Sequence, residues 1–154
     1  MSIKSLTAEQ LYDCLLEAVR QGAGGNRTRL LGFNGGYDAR RMQFINKFRA
    51  PAAGATEYQS GIPQALTMMN GQMIRQLTSD RNSTLLTTLE APFFSDKQKV
   101  ETLFLSTLSR RPTKKERDKF VGYLHGGGAT GSRRQALADM LWALVNSAEF
   151  TLNH

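Results

Sequence analysis

The sequence contains one cysteine, Cys14, and two histidines, His125 and His154. A single cysteine excludes an intrachain disulfide. Neither histidine has a second histidine, a cysteine or a carboxylate at the spacing of metal ligands, so no metal site is predicted. Cys14 falls on an apolar face of a predicted helix, which favours a buried, unreactive thiol over a nucleophile. That face also contains Leu11, Leu15 and Ala18.

Long apolar segments and the common catalytic motifs are missing as well. No run of about 18 apolar residues occurs, so no transmembrane helix is predicted. The N-terminal MSIKSLTAEQ has no apolar core, so no signal peptide is predicted in this chain. The Cys-x-x-Cys-His motif of c-type haem attachment and the Gly-x-Ser-x-Gly motif of hydrolases are both absent. We therefore predict no catalytic, cofactor-binding or metal-binding residues.

The composition is that of an ordinary globular domain. The chain has 154 residues, of which 40% are hydrophobic and 21% charged, and a domain of this size buries about 68–70% of its unfolded surface. The net charge of +7 is compatible with binding to nucleic acid or an acidic glycan. However, the basic residues fall at predicted helix ends, and few aromatic residues lie among them to stack on bases. We therefore interpret these basic residues as solvated charges at helix ends.

Four capping boxes and the absence of strand alternation predict an all-α fold. Each box has a hydroxyl residue followed three positions later by Gln or Glu, which satisfies two N–H groups at a helix start. The boxes open at Thr7, Ser95, Thr113 and Ser132, and their helices are predicted to end near Gln21, Ser109, His125 and Ser147. Shorter helices are predicted over Ala39–Arg49 and Asn82–Leu89. The prediction is a single compact domain over residues 1–154, with about six to seven helices and an irregular Gly-rich loop, Asn26–Asp38, in the first half.

The apolar spacing of each helix predicts its buried face. In chain order, the predicted inward residues are Leu11, Cys14, Leu15, Ala18 and Val19; Met42, Ile45 and Phe48; Leu85, Leu86 and Leu89; Val100, Leu103, Phe104 and Leu108; Phe120, Tyr123 and Leu124; and Leu137, Met140, Leu141, Leu144 and Val145. His125 stands at a helix end before three glycines, where a cation complements the helix dipole. Phe150 is predicted to fold back onto the core.

The segment Ser60–Asp80 predicts a central buried helix, with Ser60 as N-cap and Pro63 in the first turn. Its apolar stripe stays in phase across Gly71, which favours one continuous helix over the alternative that Asn70-Gly71 ends the helix. Asn70 shares the apolar face. A buried amide must find hydrogen-bond partners, so we interpret Asn70 as a structural tie to a neighbouring loop. A ligand-binding amide is the alternative.

Four segments carry a family resemblance when taken in order. They are Leu6–Ala18 (LTAEQLYDCLLEA), Ile62–Gly71 (IPQALTMMNG), Leu103–Glu116 (LFLSTLSRRPTKKE) and Leu141–Phe150 (LWALVNSAEF). Together they resemble the C-terminal region of large planctomycete-type proteins, domain of unknown function 1553. That region often follows a cytochrome-c-like segment and a second uncharacterised domain. The resemblance covers most of the chain and implies that it is the C-terminal piece of a larger exported or cell-surface protein.

The resemblance brings no catalytic residue and no cofactor, because any haem would belong to a different segment. The matching positions are motif positions of unknown role: Pro63, Gln64, Asn70, Arg110, Pro112, Asn146 and Phe150. From the residues themselves, Arg110-Arg111-Pro112-Thr113 predicts a turn followed by a helix cap. Asn146 with Phe150 predicts a lock at a helix end.

Three functional hypotheses follow from these patterns. The first is a helical interaction or scaffold domain without catalysis, whose partners are other domains of the same polypeptide, a protein or a glycan. The second is a carbohydrate-directed enzyme domain with a cleft near Asn26–Asp38, for which Asp38 and Glu57 are the local carboxylates. The third is nucleic-acid binding through the net positive charge. We expect the first, because the sequence contains no recognisable pattern of catalytic or ligand-binding residues.

Overall fold

The computed structural model describes residues 4–20, 35–48, 71, 75, 78 and 83–153. Most of this described part is helical, and the predicted all-α class is confirmed. The α-helices are α1 (Ala8–Arg20), α2 (Gly35–Phe48), α3 (Thr84–Leu89), α4 (Asp96–Leu108), α5 (Lys114–His125), α6 (Arg133–Val145) and α7 (Ala148–Thr151). A 3-10 turn at Gly128–Thr130 joins α5 to α6. Two-residue strands, β1 (Lys4–Ser5) and β2 (Leu152–Asn153), form the ends of the described chain.

The core lies where α1, α4, α5 and α6 meet. Helix α4 packs against both α5 and α6, α5 packs against α6, and α1 contacts α2, α3 and α4. Leu15, Val100, Leu103, Leu124 and Leu141 are completely buried at this junction. Burying a leucine or valine side chain contributes about 1.5–3 kcal/mol, so this junction supplies much of the stability of the described part.

Three of the four predicted capping boxes form both of their hydrogen bonds. In each, the hydroxyl accepts the N–H of the third helical residue, whose side chain accepts the N–H of the cap. These pairs are Thr7 with Gln10, Ser95 with Gln98 and Thr113 with Glu116.

The fourth box, at Ser132, is only half formed. Ser132 accepts the N–H of Gln135, but the Gln135 amide donates to Asp139 at 2.9 Å instead of reaching back to the cap. The prediction of a complete box is therefore wrong here. A carboxylate four residues further along the helix competes successfully for the glutamine side chain.

The predicted core positions of α3 and α6 are confirmed, and those of α4 nearly so, because Leu108 is only partly buried. Three individual predictions are wrong. Cys14 is exposed, Met42 is 54% exposed and Tyr123 is 39% exposed.

The error at Cys14 has a geometric reason. Tyr12 is buried and lies against Phe44 of α2, with ring centroids 5.3 Å apart. This contact turns the buried face of α1 toward Tyr12 and Val19, so Cys14, on the opposite margin of the apolar stripe, faces outward. In the same way, α2 buries Phe44 and Ile45 rather than Met42. The Phe48 side chain is outside the described residues.

Helix α2 begins earlier than predicted. Gly35–Asp38 were assigned to the irregular Gly-rich loop, but they form the first turn of α2. Glycine disfavours a helix by only about 1 kcal/mol relative to alanine, which packing of α2 on α1 exceeds. Residues 26–34 of the predicted loop lie outside the described residues.

The predicted central helix is described only at Gly71, Arg75 and Thr78. Gly71 is not helical, and its carbonyl accepts the N–H of Arg75 at 3.1 Å, the bond that opens a helical turn. Arg75 and Thr78 are helical, and Thr78 is buried. One helix running through Gly71 is therefore wrong at that residue. A non-helical Gly71 agrees with glycine's low helix propensity.

Two long-range ties connect distant parts of the chain. The Ser83 hydroxyl donates to the Val19 carbonyl at 3.2 Å while accepting the N–H of Leu86, which joins the end of α1 to the start of α3. At the other end of α1, β1 pairs antiparallel with β2, and the Leu6 N–H donates to the Thr151 carbonyl at 3.1 Å. Phe150 is buried beside this pairing as predicted.

Candidate functional site

The described residues contain one concentrated polar cluster, centred on Arg110 in the turn between α4 and α5. Ser109 ends α4 in the left-handed conformation with φ of 55°, which reverses the chain direction. Pro112 is buried, and Thr113 then caps α5. The turn and cap predicted at these positions are present, and they aim the Arg110 side chain back across the helix ends.

Arg110 binds two glutamates from different parts of the chain. Its Nε and Nη2 donate to the two carboxylate oxygens of Glu149, the latter at 2.8 Å. Its Nη1 and Nη2 donate to Glu116 at 3.0 and 2.8 Å. Nη1 also donates to the Arg111 carbonyl at 3.1 Å. A guanidinium has five N–H donors, and these five bonds use all of them.

Aromatic rings form the apolar side of this cluster. The guanidinium carbon of Arg110 lies 5.3 Å from the ring centre of Phe104, within the range of a cation–π contact. Phe104 in turn meets Phe120 edge to face, with centroids 5.2 Å apart. The cluster therefore joins the end of α4, the start of α5 and the start of α7 over the buried Phe104 ring.

Electrostatics within the cluster favour the charged forms of both partners. Hydrogen bonds from Arg110, and secondarily from Thr113, lower the pKa of Glu116 to about 2 although partial burial opposes this. Hydrogen bonds to Glu149 and then to Glu116 raise the pKa of Arg110 above its ordinary value. Two carboxylates surround one guanidinium and every guanidinium donor is occupied, so Arg110 has no donor left for an anionic ligand.

Asn146 and Phe150 lie at the junction of α6 and α7. The Asn146 backbone N–H and its Nδ2 both donate to the Trp142 carbonyl, at 3.1 and 2.8 Å. Ser147 then accepts the N–H of Phe150 on its hydroxyl. These bonds end α6 and start α7, which places Glu149 against Arg110. The bonds at the predicted helix-end lock therefore help to position Glu149 beside Arg110.

The first half of the chain contains the other sequence-predicted positions. Pro63, Gln64 and Asn70 lie outside the described residues, as do Glu57 and the side chain of Asp38. The predicted cleft near Asn26–Asp38 therefore has no described side chain from this pair of carboxylates.

A second, smaller polar group lies on the surface. Asp96, at the start of α4, pairs with Arg133 and lies 3.4 Å from Nδ1 of His125. His125 is 80% exposed. Within the described ranges, no three histidine, cysteine or acidic side chains converge as metal ligands would. None of the described helices is long and apolar enough to cross a membrane.

Cys14 is exposed but not activated. Partial burial, and secondarily the neighbouring Asp13 carboxylate, raise the pKa of its thiol. The thiolate is the reactive form, so a raised pKa disfavours a nucleophilic role, whereas the predicted burial of Cys14 is wrong.

Glu149 is the residue that sequence reasoning missed. It lies 39 positions from Arg110, and no local pattern links the two. The only available signal was that Arg110 stands six residues before Glu116, whose own role as a capping residue was predicted.

Comparisons with protein-family models, with curated proteins and with solved structures found no match to this chain.

Proposed function

We propose that this chain is a helical interaction or scaffold domain of a multidomain exported or cell-surface protein, with no catalysis of its own. The observation that carries the proposal is the complete internal use of Arg110. The most concentrated polar cluster of the described residues binds three helix ends together instead of presenting free guanidinium donors to a ligand. Such a cluster builds a rigid support.

The proposal of a multidomain exported or cell-surface protein rests on the resemblance to domain of unknown function 1553. Four of the positions that carry that resemblance are described, and all four lie at helix ends next to the Arg110 cluster: Arg110, Pro112, Asn146 and Phe150. This favours a shared structural role for those motif positions. Partners would be other domains of the same polypeptide, another protein or a glycan.

The test is chemical crosslinking with mass spectrometry in the cells that make this protein. A scaffold domain is expected to give reproducible crosslinks from one face to a defined partner or domain. The matched control is the Arg110→Ala variant, which would loosen the junction of α4, α5 and α7 and disperse those crosslinks. Two outcomes would contradict the proposal: no reproducible partner, or release of reducing sugar when the purified chain is incubated with a polysaccharide panel.

Nucleic-acid binding is the second candidate, favoured by lysines that carry no ion pair in the described part of α4 and α5. Its test is a fluorescence anisotropy titration of labelled duplex DNA at low salt. Non-specific duplex binding depends steeply on salt. A flat titration at low salt removes this candidate.

A further inference from the structure

Apart from Arg117 and His125, the basic residues between positions 83 and 153 divide into two groups. Arg110, Arg111, Arg133 and Arg134 each pair with carboxylates of neighbouring elements. In the same part of the chain, no lysine is within ion-pairing distance of a described carboxylate. Four of the five arginines in this part of the chain therefore neutralise carboxylates of the fold. Among the described residues, the positive charge without an ion pair belongs to the lysines and to Arg117, whose Nε is buried without a hydrogen-bond partner.

Three of these lysines lie on one side of α5. Lys115, Asp118, Lys119 and Gly122 follow the i, i+3, i+4, i+7 spacing of a single helical face, and Lys114 flanks it. All five residues are exposed. We call this set the α5 outer face. It lies opposite Leu124, which is completely buried.

Gly122 is the unusual member of the α5 outer face. Glycine is less favourable than alanine in the interior of a helix, and a Cβ atom at this position would have no described atom within 4 Å. Nothing in the described fold therefore requires a glycine here. The missing side chain leaves room for the backbone of another molecule.

We infer that the α5 outer face docks an acidic helical segment of a protein partner. This inference rests on the proposed interaction function and names its surface. Glutamates four residues apart on the partner would meet Lys115 and Lys119 at matching helical spacing. A basic residue between them would meet Asp118, and the partner backbone would approach at Gly122.

Charge pattern and composition favour a protein segment over nucleic acid. Asp118 lies among the lysines and would repel a phosphate backbone, whereas a protein segment with mixed charge can pair with it. The face offers three cations, fewer than the roughly six to ten phosphate contacts of strong duplex binders. The aromatic residue that flanks it, Tyr123, donates its hydroxyl to Asp139, and no second exposed aromatic of α5 accompanies it for base stacking.

The test uses a fluorescein-labelled helical peptide with glutamates four residues apart and one arginine between them. Anisotropy titrations are made with the full chain at low salt, beside a scrambled peptide and a labelled DNA duplex. We expect the patterned peptide to bind more tightly than either. The triple variant Lys114→Ala, Lys115→Ala, Lys119→Ala should weaken binding about tenfold, because each exposed ion pair contributes a factor of roughly two to five.

Matched variants separate this surface from net charge. Lys97→Ala with Lys99→Ala removes two lysines of α4 and should change the affinity less than twofold. Gly122→Leu keeps every charge and should weaken binding by blocking close approach. Asp118→Asn should weaken binding of the patterned peptide but strengthen binding of DNA.

Three results overturn the inference: equal losses from the α4 and α5 lysine variants, equal affinity for the scrambled peptide, or tighter binding of DNA than of the patterned peptide. The crosslinking experiment keeps this failure distinct from failure of the proposed function. A reproducible partner whose crosslinks do not change in the α5 triple variant refutes the docking surface alone. The absence of any partner refutes the proposed function.

Discussion

At the scale of single residues, Arg110 shows how one side chain can connect three helix ends. A guanidinium presents five donors in a rigid planar fork, which matches two carboxylates at once. Glu116 and Glu149 occupy both sides of that fork, while Phe104 covers its face. A lysine has three donors on a flexible stem and cannot reproduce the two-sided arrangement.

Arg110→Ala should lower the free energy of unfolding by about 2 kcal/mol, because it leaves two partly buried carboxylates without their shared donor. Arg110→Lys should recover less than half of this loss. Urea denaturation monitored by circular dichroism measures both. Arg111→Ala is the control, since the Arg111 side chain is 81% exposed and, among the described residues, pairs only with Glu101, and it should cost less than about 0.5 kcal/mol. Equal losses for Arg110 and Arg111 would show that the fork has no special role.

Gly127 is a second position where one residue type is required. Its φ is 71°, and a Cβ there would lie 2.6 Å from backbone atoms of Gly131. The neighbouring Gly126 has φ of −72° and ordinary space for a methyl group. The turn between α5 and α6 therefore requires glycine at position 127 but not at position 126.

Gly127→Ala should accordingly destabilise the protein by more than about 2 kcal/mol, since left-handed strain and a backbone clash add together. Gly126→Ala should stay within about 0.5 kcal/mol of the wild type. Thermal unfolding of the two variants side by side measures the difference. A mild effect of Gly127→Ala would mean that the turn can adopt another path.

At the scale of elements, the helix starts are determined by local chemistry. Thr113 and Ser95 form complete capping boxes, whereas Ser132 forms half of one because Asp139 takes the Gln135 amide. A cap contributes about 0.5–2 kcal/mol. Each complete box should therefore contribute more to the free energy of unfolding than the incomplete one.

Thr113→Ala should cost about 1–2 kcal/mol, because it removes the side-chain cap of α5 and one of the hydrogen bonds that hold the Glu116 carboxylate. Ser132→Ala should cost about 0.5–1 kcal/mol. Chemical denaturation of both variants measures which substitution lowers the free energy of unfolding more. If Ser132→Ala proved the more damaging change, the half-formed box would be the stronger anchor and this explanation would be wrong.

At the scale of the whole molecule, the Arg110 cluster links stability to pH. The pKa of Glu116 is about 2 in the folded protein and near 4.5 for an ordinary glutamate. A carboxylate with a depressed folded pKa stabilises the fold at pH values above its unfolded pKa. That stabilisation is lost as the pH falls from about 4.5 to about 2.

The free energy of unfolding should thus decrease across this acidic window, with about 1 kcal/mol due to Glu116 after allowance for its partial exposure to solvent. Glu116→Gln should remove that part of the slope while also lowering stability at neutral pH. Glu101→Gln, in an exposed pair, is the matched control. Urea denaturation at several pH values between 2 and 6 measures the slopes. An unchanged slope in Glu116→Gln would exclude Glu116 as its source.

The sequence by itself determined the helical class, the starts of α1, α4 and α5, and the buried leucines of α3, α4 and α6. Those features depend on residues three or four positions apart, where capping bonds and helical periodicity act. The exposure of Cys14 and Met42 was decided by tertiary structure, because the Tyr12–Phe44 contact sets the rotation of α1 and α2. The same holds for Arg110 and Glu149: they meet only when α7 folds back onto the turn after α4, and no local pattern encodes a bond between residues 39 positions apart.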